Sequence, residues 1–385
     1  MGGPLERAQR ISEVIRAFDA QGHHRTGTDV DNASGAWLRD LLDQQGAEAA
    51  LETYLFERFA PADSYLQAGD AHFPGLPMFD APVTPGAGVS GRLGLAGTDA
   101  EIALVVAPPG APAPELDMAR TSGRYRAVVY VTVAGRPGLA PRNAAAFPRA
   151  FGVPVLQVSG EHRARLESMA DGRQEATVMA TGQTVSVSAS NVIGRVAGKD
   201  SKLAPFVVMT PRSGWWACAS ERGGGIACWL EIARAIAHEP LRRDLLLVAS
   251  TGHELGHWGL ERFIDSREAL PTGALLWLHL GASIGAAIAP RPVLFASAPA
   301  LASLTLDAMA AAGAPPVTLA PQGTVPGGES KNIHERGGRY VSFAGGSALF
   351  HLQDDRWPDA VDVAAVSAYC DACVTVLRTI DEQGG

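Results

Sequence analysis

The sequence lacks long runs of basic residues and long runs of apolar ones. Its net charge is −8, and we find no basic run beyond Arg242-Arg243, which argues against a nucleic acid or an anionic membrane surface as partner. The most apolar stretch, GALLWLHLGASIGAAIA, is interrupted by His279 and several glycines, so no membrane span is predicted. The N-terminus, MGGPLERAQRISEVIRAF, has an amphipathic helical pattern without the features of a signal peptide. We expect a cytoplasmic protein whose partner is a small molecule or short peptide.

Cysteine is also scarce. Four cysteines in 385 residues do not make a disulfide framework. Cys370 and Cys373 form a C-x-x-C pair, but the surrounding apolar spacing is helical and no second cysteine pair accompanies it. We therefore predict that they pack within a helix rather than serve redox or metal chemistry, and we interpret Cys218 and Cys228 in the same way.

Length and composition predict two or more domains, since 385 residues with 46% hydrophobic content can bury a sizeable core. Residues 5 to 60 predict a helix, a loop, a second helix capped by Asn32 or Ser34, and a strand. Between about residues 80 and 187 the pattern changes to short β-rich runs separated by glycine and proline, with one helix. This pattern predicts a small inserted β-rich domain at 81–187.

Beyond residue 190, apolar strand patterns such as DLLLVAS and ALLWLHLGA alternate with amphipathic helices. Such strands predict a mainly parallel mixed sheet sandwiched by helices on both faces, the α/β class. The α/β domain would consist of residues 1–80 and 188–385. Ligands in this class bind near the carboxyl ends of the strands, and the sequence leaves a homo-oligomer open.

One short stretch, STGHELGHWG, contains His253, Glu254 and His257 in the H-E-x-x-H order of zinc proteases. That motif requires a helix, so that both imidazoles face one ion. Here a buried strand and the turn Thr251-Gly252 come directly before it, which places His253 and Glu254 in a loop at the end of a strand. The sequence therefore argues against the helical zinc-protease motif.

The segment VASTGHELGHWGLERFI resembles the strand and T-G-E-E-x-G-L-x-G-S loop of the co-catalytic zinc aminopeptidases, the M28-type peptidases. Further likenesses lie in HRTGTDVDNASGAWLRDLL, in GGGIACWLEIARAI and in GGSALFHLQDDRWPDAV. The run YRAVVYVT…FGVPVLQVSGEHRARLE resembles the protease-associated domain that many members carry as an insertion. The resemblance implies a zinc aminopeptidase-like, phosphorylase/hydrolase-type fold with that insertion.

The resemblance also implies a site in which two zinc ions are held by His, a bridging Asp, Glu, Asp and His, with a second Glu as base. This chain departs from that pattern at most positions. In family order, the first His corresponds to Thr210, an Asp two residues after it to Arg212, the bridging Asp to Glu221, the base to His253, the ligand Glu to Glu254, the second Asp to His279 and the last His to His351.

From these positions the sequence predicts one divalent ion, zinc or else manganese or iron, held by Glu221, Glu254 and His351, with His279 as a further candidate ligand. Asp354 or Asp355 would orient the ring of His351. The predicted remaining roles are as follows: His253 as a neutral base, Arg212 and His334 as further catalytic groups, and Trp215, Trp216, Arg222 and His257 as substrate contacts.

Structural interpretations stand beside these roles. Glu221 could pair with Arg222 or cap the following helix, and His279 could be a hydrogen-bonded core histidine. The two tryptophans could belong to the core, and His334 could be a solvated loop residue.

Three functions follow from these alternatives. The first is a metal-dependent hydrolase of an amide or related bond, acting on a neutral or carboxylate-bearing small molecule or short peptide. The second is a non-catalytic binding protein on an aminopeptidase fold. The third is a metal-free acid–base hydrolase that uses His253, Glu254 and Arg212.

Overall fold

The computed structural model describes residues 4–110 and 112–384. The helices of this part are α1 (Pro4–Ala20), α2 (Asp29–Gln44), α3 (Pro114–Thr121), α4 (Arg163–Asp171), α5 (Gly224–His238), α6 (Trp258–Asp265), α7 (Leu270–Gly273), α8 (Pro299–Ala311), α9 (Ser330–Glu335) and α10 (Val363–Gln383). The strands are β1 (Glu48–Pro61), β2 (Tyr65–Ala68), β3 (Ala71–Pro77), β4 (Val89–Leu95), β5 (Ile102–Ala107), β6 (Ala127–Thr132), β7 (Val155–Ser159), β8 (Glu175–Met179), β9 (Gly182–Val196), β10 (Phe206–Pro211), β11 (Leu245–Ser250), β12 (Leu276–Leu280), β13 (Arg291–Ala296), β14 (Thr318–Leu319) and β15 (Tyr340–Gly346).

The larger sheet has the strand order β1-β9-β11-β10-β12-β15-β13-β14. Its central strands β11, β10, β12 and β15 are parallel, whereas β9 pairs antiparallel with β1 and β11, and β13 pairs antiparallel with β15 and parallel with β14. The predicted mainly parallel mixed sheet is confirmed. The central parallel strands end at one edge, so the loops that follow them lie side by side.

Both faces of this sheet are covered, because successive side chains of a strand point to opposite sides. In β10, Phe206 and Val208 pack into the core formed with α1, α5, α8 and α10, while Val207 and Met209 pack into the core formed with α6 and α9. α10 is long and apolar enough to resemble a membrane span, but 50% of its most apolar window is buried inside the fold.

The second sheet is a closed barrel of order β2-β3-β7-β6-β5-β4-β8, so the inserted β-rich domain has its own core. The barrel domain begins before the predicted residue 81, because β2 and β3 already belong to the barrel. The long antiparallel strands β1 and β9 lead into and out of it over fourteen paired positions, from Glu48↔Arg195 to Pro61↔Gly182.

Two further predictions can be compared with these elements. The helix α2 begins at Asp29 with Thr28 as its cap, where the Thr28 hydroxyl accepts from the Asp31 backbone amide, so the predicted caps Asn32 and Ser34 are wrong. All four cysteines are buried and free.

Candidate active site

A cleft of about 520 Å³ opens where the loops after the central strands meet the barrel. Pro109, Arg142 and Asn143 come from the barrel side, and Arg291 and Phe350 from the α/β domain. Four imidazoles also line this cleft, and we call them the imidazole cluster: His253, His257, His279 and His351. A groove of about 560 Å³ lies on the outer helical face, but its charged groups pair with each other, as Arg10 does with Glu231.

The segment around His253 is not the helix that a zinc protease would need. Residues His253–Leu255 form a single 3-10 turn, and Gly256 and His257 both have positive φ angles, of 72° and 61°, before α6 begins at Trp258. A left-handed backbone is rare for a histidine and marks a position held by its surroundings. The sequence argument against the zinc-protease motif is therefore confirmed.

His253 has a partner that sequence reasoning missed. Its Nδ1 lies 3.3 Å from Oε1 of Glu329, a fully buried carboxylate that also accepts from the hydroxyl of Ser250 at 2.5 Å. A carboxylate accepts, so His253 donates through Nδ1 and Nε2 carries the lone pair. Burial, together with the nearby Arg222, holds the pKa of His253 well below its usual value, which keeps the imidazole neutral.

The tautomer of His279 follows from a chain of hydroxyls. Ser330 donates to the carbonyl of Gly327 at 3.0 Å, so it must accept from Ser342, at 2.9 Å. Ser342 has then used its proton and accepts from Nδ1 of His279 at 2.8 Å. Nε2 of His279 is left as an acceptor, and burial lowers the pKa of this ring to about 4.

His257 and His351 carry their proton on the same ring nitrogen as His253 and His279. Nδ1 of His257 lies 2.7 Å from Oδ1 of Asn332, whose amide nitrogen is fixed by donating to Glu261. Nδ1 of His351 lies 2.6 Å from the carbonyl of Pro141 in the barrel. Since both partners can only accept, both rings donate through Nδ1. All four members of the imidazole cluster therefore present Nε2 as an acceptor when neutral.

The acidic residues Glu221 and Glu254 lie behind the cleft and have other kinds of partner than the histidines. Oε1 of Glu221 lies 2.7 Å from Nη2 of Arg222 and 3.4 Å from Nε2 of His351. Glu254 accepts from the backbone amide of Thr26 at 2.8 Å and from the hydroxyl of Ser213 at 2.7 Å. Both carboxylate oxygens of Glu254 are thus engaged by hydrogen-bond donors.

Arg212 belongs to the same set of buried charged residues behind the cleft. It is fully buried, pairs with Asp31 at 2.8 Å and donates to the Ser190 carbonyl. The hydroxyl of Thr251 adds a hydrogen bond to Asp31 at 3.0 Å. We call the five charged residues the paired-charge network: Asp31, Arg212, Glu221, Arg222 and Glu254.

The predicted ligand set does not fit a metal ion in this arrangement. Glu221 is paired with the guanidinium of Arg222, although its Oε1 accepts no hydrogen bond among the described residues, and Glu254 has its two oxygens on Thr26 and Ser213. Within residues 4–110 and 112–384, no group of three or more His, Cys, Asp or Glu side chains is placed to hold a metal. The prediction that Glu221, Glu254 and His351 form one metal site needs this correction.

Several other predicted roles also change. Arg212 is enclosed by Asp31 and Ser190 and does not line the cleft, and His334 bonds to the hydroxyl of Tyr340 at 3.0 Å outside it. Trp215 is 1% exposed and donates to Asn143, so it joins the two domains. Trp216 donates to the carbonyl of His351.

Asp355 does not orient His351. It accepts from the backbone amides of Ser220 and Glu221 at 2.8 and 2.9 Å and so holds the five-residue π-type turn Ala219–Gly223. Burial raises its pKa to about 7.

Two structural alternatives can also be compared with the geometry. Glu221 pairs with Arg222, as one of them predicted. His279 is both a hydrogen-bonded core residue and part of the cleft wall.

The architecture as a whole is that of the zinc aminopeptidases, which confirms the fold that the resemblance implied. The chain is similar to an aminopeptidase from Aneurinibacillus sp. strain AM-1, with 16% identity, a TM-score of 0.73 and coverage of 96% of this chain and 93% of that one. It is also similar to a zinc aminopeptidase from Bacillus subtilis (15%, TM-score 0.75, 96% and 93%). A peptidase M28 precursor from Shewanella amazonensis SB2B is a further match (14%, TM-score 0.75, 98% and 95%).

No protein-family model and no curated protein sequence matches the chain. At these identities the likeness concerns the fold, and the chemistry must come from the side chains themselves.

Proposed function

We propose that the protein hydrolyses an amide or related bond in a small peptide-like molecule, with His253 as the acid–base group. The single observation that carries this proposal is the pair formed by His253 and the buried Glu329 at the wall of the cleft. A neutral imidazole held by a carboxylate is the usual arrangement of a catalytic base. The resemblance placed the base of the zinc enzymes at this same position.

The proposed reaction needs only water and the substrate. Nε2 of His253 takes a proton from water as the water oxygen attacks the carbonyl carbon of the substrate. The resulting imidazolium is stabilised by Glu329 and returns the proton to the leaving nitrogen as the carbon–nitrogen bond breaks. The products are a carboxylate and an amine, and no step passes through the paired-charge network.

A metal-dependent reaction at Glu221, Glu254 and His351 is the alternative that the fold suggests, since relatives in fold are named zinc aminopeptidases. The hydrogen bonds of Glu254 and the ion pair of Glu221 weigh against it. A non-catalytic binding protein is a second candidate, favoured by the same internal pairing of acidic side chains.

The test is the release of primary amine from a panel of dipeptides and N-acyl amino acids. His253→Gln should lower the rate by about 10²- to 10⁴-fold, while His72→Gln, a change at an exposed histidine of the barrel, should leave it unchanged. Equal rates in the His253→Gln variant would remove the proposed base. If the unmodified protein hydrolyses no compound of the panel, the result would favour the alternative of a non-catalytic binding protein.

A further inference from the structure

Two arginines outside the cleft have no carboxylate to pair with. Arg25 lies in the loop before α2 and Arg58 near the end of β1, and both are half-buried. Among the residues that the structure describes, neither guanidinium has an ion pair or a hydrogen bond, and the Nε atom of each is buried without a partner. The terminal nitrogens are not among these buried atoms, so both guanidinium groups reach solvent.

Other buried arginines of this chain are paired with acidic side chains. In four such pairs a guanidinium nitrogen lies 2.7 to 3.0 Å from a carboxylate oxygen: Arg212–Asp31, Arg222–Glu221, Arg120–Asp80 and Arg243–Asp381. Taking a charge out of water without an opposite charge beside it costs free energy. Arg25 and Arg58 are therefore exceptions, and an anion from solution would remove this cost.

The two arginines belong to one site, because the loop before α2 lies on the ribbon of β1 and β9. A Cβ atom added at Gly27 would lie 3.5 Å from Cδ of Arg58. Nδ2 of Asn32 donates to the carbonyl of Ser188 on β9 at 3.0 Å, which holds the start of α2 against the same ribbon. Burial and the positive charge of Arg58 lower the pKa of Arg25. The two guanidinium groups are thus close enough to repel each other.

One acidic side chain lies near the pair but does not compensate it. Glu254 attracts Arg25, but this attraction is smaller than the repulsion by Arg58. Its two oxygens accept from the Thr26 amide and the Ser213 hydroxyl instead. An excess of positive charge therefore remains at the surface beside the loop.

We infer that Arg25 and Arg58 bind a phosphate group, either as free inorganic phosphate or as the phosphate of a monoester. Two guanidinium forks offer several N–H donors and two positive charges, which match the three acceptor oxygens and the charge of about −2 of a phosphate. A single carboxylate would leave one of the two positive charges uncompensated. Neither arginine lines the cleft, so this inference is independent of the proposed hydrolysis.

Calorimetric titration of the full chain with sodium phosphate, at an ionic strength held constant with sodium chloride, tests the inference. The unmodified protein should bind one phosphate, and Arg25→Gln and Arg58→Gln should each weaken this binding at least about tenfold, since each removes charge-assisted hydrogen bonds. Arg163→Gln, in an exposed pair with Glu167 on the barrel, is the matched control and should bind phosphate as the unmodified protein does. Unchanged binding in both test variants, or no saturable binding by the unmodified protein, would overturn the inference.

The melting temperature gives a second measurement on the same proteins. Phosphate should raise it in the unmodified protein and in Arg163→Gln, because a ligand that binds only the folded state stabilises that state. The rise should be lost in Arg25→Gln and Arg58→Gln. Both variants should fold, since neither loses an ion pair, and either one alone decides if the other does not. An equal rise with sodium chloride in place of phosphate would show a general salt effect and contradict the site.

Two further probes identify the ligand. Glycerol phosphate is a monoester, and its binding would mean that the site takes the phosphate of a larger molecule, whereas binding of inorganic phosphate alone would assign the site to the free ion. Sodium acetate carries a single negative charge and should bind at least about tenfold more weakly than phosphate. Acetate that binds more tightly than both phosphates would make this a carboxylate site and the inference wrong.

Discussion

The paired-charge network and the imidazole cluster lie side by side at the same edge of the sheet, but their hydrogen bonding differs. In the paired-charge network, buried charges meet opposite charges or hydrogen-bond donors, as Arg212 meets Asp31 and Glu254 meets Ser213. In the imidazole cluster, Nδ1 of each ring is fixed by an accepting partner, and all four residues line the cleft. The proposed function uses the cluster and not the network.

The two groups also differ in which parts of the chain they join. The network ties the loop before α2 and the first turn of α2 to the loops after β11 and β10, because Thr26 bonds to Glu254 and Asp31 bonds to Arg212. The cluster connects the α/β domain to the barrel, through the bond of His351 to Pro141. The network also reaches the barrel through the main chain, since the carbonyl of Glu254 accepts from the backbone amide of Ala144 at 2.8 Å.

The largest expected effect comes from breaking the network at Arg212. Arg212→Met leaves Asp31 as an uncompensated buried carboxylate, so the free energy of unfolding should fall by about 3–5 kcal/mol. Activity per folded molecule should not change. Urea unfolding measures the loss, and Arg39→Met, in an exposed pair with Asp40, is the control with an expected loss below about 1 kcal/mol. Similar losses in both variants would contradict a stabilising role for the network.

The next effect concerns pH and the cluster. Burial lowers the pKa of His279 to about 4 in the folded protein. Between this value and the ordinary pKa of histidine, His279 is protonated in the unfolded chain but neutral in the folded one, so a fall in pH favours unfolding. The stabilisation is fully present above about pH 6.5 and is lost as the pH falls toward 4. It amounts to about 3 kcal/mol, since each pKa unit corresponds to roughly 1.4 kcal/mol.

The stability difference between the unmodified protein and His279→Gln isolates this contribution. Other buried groups titrate in the same range, but they are present in both proteins and cancel in the difference. Urea unfolding at several pH values should give a difference that shrinks as the pH falls. A difference independent of pH would show that His279 is not held neutral by burial.

A smaller effect is expected at Glu329, which acts through His253. Glu329→Gln removes the charge that stabilises the imidazolium, so kcat should fall about 10²-fold, and the acidic limb of the pH–rate profile should move to lower pH. Glu335→Gln, on the exposed side of α9, is the control. A loss of activity without movement of the pH profile would assign Glu329 a structural role only.

The sequence predicted the strand and helix order of the α/β domain and the place of His253 from local patterns, and the aminopeptidase-like fold from the resemblance. The apolar strands and the glycine turn before His253 place that residue at the end of β11, and the structure agrees. The bonds of Glu254 were not predictable, because Thr26 lies 228 positions away and no spacing rule links the two loops. The same holds for Glu329, 76 positions from His253.

Two roles in the site were not predictable from residue type. In the segment PGGESKNIHERGG the sequence offers His334 as a catalytic group, but Glu329 in the same segment is the residue that reaches His253. Its place after two glycines was the available signal, since glycines let a loop approach a neighbouring strand closely. Glu221 and Arg222 are adjacent in sequence, and their pairing was the simpler of the two alternatives considered.

The smallest expected effect is that of metal removal, and it decides whether the two groups have separate roles. Dialysis against a chelator such as phenanthroline should leave both the rate of amine release and the melting temperature unchanged, because Arg222 already neutralises Glu221 and the oxygens of Glu254 are engaged. Elemental analysis before and after dialysis, on protein purified without a histidine tag, accompanies the assay. A loss of activity that zinc restores would mean that the paired-charge network opens to hold an ion, and the division between network and cluster would then be wrong.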